Sequence, residues 1–159
     1  MASPLTIQGT GVTDAFFRSN EPDTNKSTTS AYYIGKNVGG TVTTRFVVKF
    51  DLSDIPAGAT ISSAVLTLTV ASQAGASNTT MSVYRILQTV VITEVTWNSY
   101  STGNSWSTAG CANTTTDRES NDISNTPSTG ENPAAGTQIV FTLLELKWHI
   151  QLHHSFLQS

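Results

Sequence analysis

Two stretches of the chain alternate with period two. In TRFVVKF, residues 44–50, Phe46, Val48 and Phe50 share one parity, while Arg45 and Lys49 share the other. Successive strand side chains point to opposite faces, so the first set predicts a core face and the second an outer face. In ISSAVLTLTV, residues 61–70, Ala64, Leu66, Leu68 and Val70 fall together, with Thr67 and Thr69 opposite. Ile61 breaks that parity and predicts a bulge or an irregular start to the strand. Further strands are expected at about residues 3–8, 13–18, 31–35, 81–88, 90–97 and 137–142.

Between the two alternating stretches lies DLSDIPAGAT, residues 51–60. Asp51 and Asp54 stand three positions apart, a spacing open to a catalytic carboxylate pair or to a corner between strands. Pro56 cannot continue a ladder, and Gly58 permits a turn conformation closed to most residues. Leu52 and Ile55 would plug the core beneath such a corner, with the two Asp carboxylates accepting backbone N–H groups around it. Acid–base work needs a pocket and a tuned pKa. Neither is signalled here, so the corner is preferred.

Residues 71–80 and 98–136 are rich in Ser, Thr, Asn and Gly and read as loops, the second with room for one short strand. LLELKWHI, residues 143–150, has helical spacing: Leu143, Leu146 and Ile150 on one side, Leu144 and Trp148 on another. Many short strands punctuated by turn signals predict an all-β fold. The expectation is one domain over residues 1–159, a two-sheet antiparallel β-sandwich of jelly-roll type with one short C-terminal helix.

Composition narrows the function. Charged residues make up 12 % of the 159, and 8 basic against 11 acidic side chains give a net charge of −3. With no basic run to neutralise phosphates, nucleic-acid binding is set aside. The single Cys111 cannot form an internal disulfide and has no His or acid at nucleophile spacing. No apolar run is long enough for a membrane helix. MASPLTIQGTGV at the start shows no secretory signal. Either a signal has been removed from this chain or the protein leaves the cell another way, for example inside a virus particle. The expected location is extracellular or the virion surface.

FDLSDIPAGATISSAVLTL, residues 50–68, resembles the central motif of DNRLRE-type (disaggregatase-related) domains. These are β-sandwich modules of secreted bacterial and archaeal proteins and of some phage proteins. DAFFRSNEPDTN at 14–25, SVYRIL at 82–87, EVTWN at 94–98, WSTAG at 106–110, FTLLELKW at 141–148 and SFLQ at 155–158 fit further elements, the last as a closing strand. The chain departs from the pattern at Asn25-Lys26-Ser27, where Asn-Tyr-Gly is usual. It departs again at Val90 and Ile92, where a Trp and a Glu are common, and at His153-His154-Ser155, which replaces an Asn-Asn-Gly turn. The resemblance implies a non-catalytic module, with relatives that bind carbohydrate, acidic polysaccharides such as alginate included, and others that serve in adhesins or virions.

Sugar recognition uses aromatic faces for stacking and polar or charged groups for hydroxyls and carboxylates. The candidates are Tyr32, Tyr33, Arg45, Lys49, Trp97, Tyr100 and Trp106. Arg45 and Lys49 could meet a uronate carboxylate, or could be solvated charges that keep one face polar. Trp97 follows an apolar stretch and reads as a core anchor, whereas Trp106 sits in a Gly/Ser loop and is expected to be exposed. Asp14, Asp23 and Asn25 offer hard oxygen ligands for a structural Ca²⁺, although capping and turn bonds explain them equally well. His149 and His153 have the i, i+4 spacing of a helical metal pair but lack the Glu and further ligand of a zinc catalyst. Asp117, Glu119, Asp122 and Glu131 are loop acids with no sign of a facing pair.

Two functions are therefore carried forward. The first is a non-catalytic extracellular binding or adhesion module whose partner is a surface or matrix polysaccharide. The second is a structural virion protein, a phage capsid decoration, tail or fibre component that acts through contacts with virion proteins or by self-assembly.

Overall fold

The computed structural model describes residues 4–29, 34–36, 40–72, 80–123, 134–143 and 149–155 of the chain. Among them are nine strands: β1 (Val12–Arg18), β2 (Gly35–Lys36), β3 (Thr43–Phe50), β4 (Ala64–Thr69), β5 (Thr80–Arg85), β6 (Ser99–Ser101), β7 (Asn104–Ser105), β8 (Gln138–Leu143) and β9 (His149–Ser155). All pairings are antiparallel. The large sheet runs β1-β3-β9-β5, with β2 also beside β3; β4 pairs β8, and β6 pairs β7. The fold is all-β.

The two larger sheets share one core. Phe16, Phe46, Val48, Met81 and Val83 from the large sheet meet Leu66, Ile139, Phe141 and Leu143 from β4 and β8. The period-two reading holds in detail on β8, where Ile139, Phe141 and Leu143 are buried while Gln138, Val140 and Thr142 face solvent. Deleting a side chain such as Phe141, fully buried at 0 %, would cost about 3–5 kcal/mol.

The other face of the large sheet is not the polar surface that the alternation predicts. Ala15, Phe17 and Val47 lie on it, and they are buried under Ile86, Val90, Val95, Trp106 and Cys111. A layer of loop, residues 86–118, therefore covers this face. The apolar members of the outer parity, Phe17 on β1 and Val47 on β3, are what it packs against. Both lateral edges of the large sheet are also engaged. On the β5 side, Ile123 N donates to Val83 O at 2.8 Å and Glu119 N to Arg85 O at 2.9 Å, while Asp122 Oδ1 accepts Val83 N at 3.0 Å. On the β1 side, Phe16 bridges Lys26.

Residues 51–60 form a corner. Asp51 Oδ1 accepts Ser53 N at 3.0 Å, a bond that holds the Asp51 carboxyl below its ordinary pKa. Leu52 is buried beneath, Ala59 N donates to Pro56 O at 3.0 Å, and Gly58 takes φ +81°.

Other expectations are corrected. The helix over 143–150 meets strand at both described ends. Leu143 pairs with Ala64 in β8, and His149 and Ile150 pair with Lys49 and Val48 in β9. Leu143 continues the buried parity of Ile139 and Phe141, so the β period extends through it; residues 144–148 lie outside the described residues. In extended backbone, His149 and His153 stand roughly 13 Å apart, so the helical metal pair does not form. The strand expected at 90–97 is a set of turns, with Val95 N and Glu94 N both donating to Val91 O at 2.9 Å. No strand occupies 4–8, and Ile61 precedes β4 and is exposed. Of the closing strand at 155–158, Ser155 ends β9 and the rest lies outside the described residues.

Candidate carbohydrate-binding face

The loop layer stands on Phe17. The Trp97 ring meets Phe17 edge to face with centroids 6.1 Å apart. Trp106 lies at 6.3 Å from Phe17, and Tyr100 at 5.4 Å from Trp106. Trp106 is 5 % exposed, which overturns its expected exposure. The β6–β7 hairpin turns it back under the loop, and its indole Nε1–H donates to Thr96 O at 3.0 Å. Trp97 and Tyr100 remain half-buried.

Arg45 does not project freely from β3. Its guanidinium lies 5.3 Å from the centre of the Trp97 ring, and Nη1 donates to the Gly110 carbonyl. Gly110 has φ +80°, and a Cβ there would come within 2.8 Å of Trp97 and 3.0 Å of Arg45 Nη1. Burial, with a smaller contribution from the nearby Arg118 charge, lowers the Arg45 pKa to about 10. Arg45 therefore clasps the loop layer to the sheet and remains charged at neutral pH.

Arg118 supplies a second guanidinium–aromatic stack. Its Cζ lies 3.9 Å from the Tyr84 ring centre, and Nη1 donates to Glu119 O at 2.9 Å. Neither residue stood out in the sequence. The available signal was parity, since Tyr84 shares with Ser82 the face of β5 opposite Val83. Lys49 is half-buried on β3. Tyr32 and Tyr33 lie outside the described residues.

The acids do not form a facing pair among the described residues. Asp117 is fully buried and accepts Ser107 N at 2.8 Å, Thr108 N at 3.0 Å and Asn113 N at 3.1 Å. Glu119 pairs with Arg85 at 3.0 Å, and Asp122 accepts from β5. Glu131 lies outside the described residues. Cys111 is buried with φ +60°, and burial pushes its thiol pKa well up, which disfavours the thiolate that nucleophilic chemistry needs.

Of the residues considered for calcium, Asn25 acts as a staple. Its Nδ2 donates to Ile92 O at 2.9 Å and Val95 O at 2.8 Å, while Oδ1 accepts Ser27 N at 3.1 Å and Ser27 Oγ at 2.6 Å. Asp23 Oδ1 accepts Asn98 Nδ2 at 2.9 Å, and Asp14 sits half-buried in mid-β1. Among the described residues no group of three His, Cys, Asp or Glu side chains could hold a metal ion.

The face thus combines half-buried aromatic residues with cations, residue types suited to holding a sugar and its polar or anionic groups. Comparison with curated proteins and with solved structures gives no match. The family model for carbohydrate-binding module family 96 matches residues 6–130. That span covers well over half of the sequence, and the chain belongs to carbohydrate-binding module family 96.

Proposed function

We propose that the chain is a non-catalytic extracellular recognition module that holds a surface or matrix polysaccharide on the loop layer over the large sheet. The observation that carries this reading is the pairing of aromatic rings with guanidinium groups on one face: Trp97 with Arg45 and Tyr84 with Arg118. A sugar packs against the half-buried aromatic residues of the layer, and an acidic sugar finds charge-assisted donors in the guanidinium groups over the rings. The polysaccharide favoured is therefore an acidic one. A structural Ca²⁺ held through Asp14 or Asp23 belongs to the same proposal and is tested alongside it.

Titration calorimetry against a neutral glucan and a polyuronate, each with and without calcium, tests this function. Saturable, salt-sensitive binding of the polyuronate is expected, weakened about tenfold or more by Arg118→Ala, the range for loss of a charge-assisted bond. Flat traces across the panel would overturn it.

A second reading has one observation in its favour. Val65 and Val140 are exposed at 58 % and 47 %, and the outward residues of β4 and β8 (Val65, Thr67, Thr69, Gln138, Val140 and Thr142) carry no charge. Such a face suits protein contact within an assembly, a phage particle being one. Solution mass by light scattering, concentration-dependent if copies assemble, tests it.

A further inference from the structure

Asp117 takes no direct part in the recognition described above, yet it is tied to both guanidinium stacks, through its buried carboxylate toward Arg45 and through its backbone carbonyl toward Arg118. We propose that Asp117 is the positioning residue of the binding face, the buried anion around which residues 106–118 are wound so that Arg45 and Arg118 are presented together. This rests on the reading that the loop layer binds an acidic glycan.

The connections run in two directions. Toward Arg45, the carboxylate collects the N–H groups of Ser107, Thr108 and Asn113 at 2.8, 3.0 and 3.1 Å. These donors flank Gly110, whose carbonyl receives Arg45. Ala112 N donates to Thr108 O at 3.1 Å and closes the turn between them. Toward Arg118, the Asp117 carbonyl accepts Leu87 N at 2.9 Å, and the next residue bridges Ile86 and stacks on Tyr84. The loop end is thereby joined to the end of β5, and the Arg118 side chain is fixed on its ring.

The chemistry calls for Asp rather than an isostere. The two carboxylate oxygens accept three backbone donors, whereas an Asn offers one accepting oxygen and turns an NH₂ toward N–H groups. Buried donors without an acceptor are costly, and charge-assisted bonds are the strong ones. Asp117→Asn keeps the volume and removes that centre. Residues 107–113 would loosen, and with them the Gly110 carbonyl that holds Arg45.

The test compares Asp117→Asn with Leu66→Ala, a truncation in the core on the opposite side of the large sheet. Polyuronate affinity is measured by calorimetry below the melting midpoints of both variants, at several salt concentrations. Amide hydrogen exchange is followed in the same proteins. Asp117→Asn is expected to lose about tenfold or more in affinity, to bind with a shallower salt dependence, and to lose protection at the Ser107, Thr108 and Asn113 amides. Leu66→Ala is expected to melt lower and bind as the wild type does. Wild-type affinity in Asp117→Asn, or an equal loss in Leu66→Ala, would overturn the positioning role. Absent binding by the wild-type chain, with protection still lost in Asp117→Asn, would sink the glycan reading and leave Asp117 with a structural role alone. Should Asp117→Asn fail to fold, Asn113→Ala is the second variant. The Asn113 Oδ1 accepts Thr115 N at 2.9 Å and Thr116 N at 3.1 Å and shapes the turn that aims Asn113 N at the carboxylate. It is expected to lose affinity in the same direction by a smaller factor, and unchanged affinity would overturn the proposal.

Discussion

At the scale of single residues, position in a polar loop proved a poor guide to burial. Trp106 is flanked by Ser105 and Ser107, and both neighbours are exposed while the indole between them is covered. One large ring can pin a Ser-rich loop, because its buried area outweighs the polarity of its neighbours. Trp106 is buried in a cluster that includes Phe17, far away in sequence, and a one-dimensional pattern does not display such a pairing. Gly110 makes a sharper case. Its φ of +80° and the closeness of Trp97 and Arg45 leave no room for a Cβ. Gly110→Ala is expected to destabilise the chain by about 1–3 kcal/mol, from backbone strain alone before the clash is counted. A lower denaturant midpoint at unchanged m-value would confirm this, and a neutral substitution would show that the loop shifts to accommodate the methyl.

At the scale of elements, legibility followed periodicity. β4 and β8 alternate cleanly with period two, whereas β1 and β3 each hold three consecutive buried residues because both of their faces are covered. LLELKWHI satisfies helical spacing as well, and from Leu143 backward the strand period prevails because Ile139, Phe141 and Leu143 face one core. Residues 90–97 show the opposite failure. Their β-branched residues favour strand, yet Asn25 reaches across and takes the carbonyls of Ile92 and Val95, leaving turns. The turn after β1 is fastened by charge too, with Glu21 bonded to Lys26 and, at 3.2 Å, to Arg18. The Lys26 bond, with the Lys26 and Arg18 charges, holds the Glu21 carboxyl below its ordinary value of 4.5. A depressed folded pKa gives a contribution complete at neutral pH and lost as pH falls from that ordinary value through the folded one. Glu21→Gln should therefore lower the melting temperature at pH 7 and leave it nearly unchanged at pH 2–3. An equal drop at both pH values would mean that the ion pairs are not what fastens the turn.

At the scale of the molecule, the two faces of the large sheet have different tasks. One shares a core with β4 and β8; the other carries the loop layer with its rings and cations. The outward side of β4 and β8 is therefore separated from the proposed binding face by the thickness of both sheets. A change there should not reach the glycan unless binding depends on assembly. Val140→Lys supplies the test, because Val140 is outward and exposed while its neighbours Ile139 and Phe141 are buried. Away from buried features such a substitution falls within about 0.5 kcal/mol of neutral. The expected result is a stable variant with wild-type affinity for polyuronate. If affinity falls while the fold holds, the glycan lies on β4 and β8, or several copies are needed to hold it. The two cases separate by solution mass: a mass that falls with the substitution identifies an interface between copies, and an unchanged mass moves the binding face to the charge-free sheet.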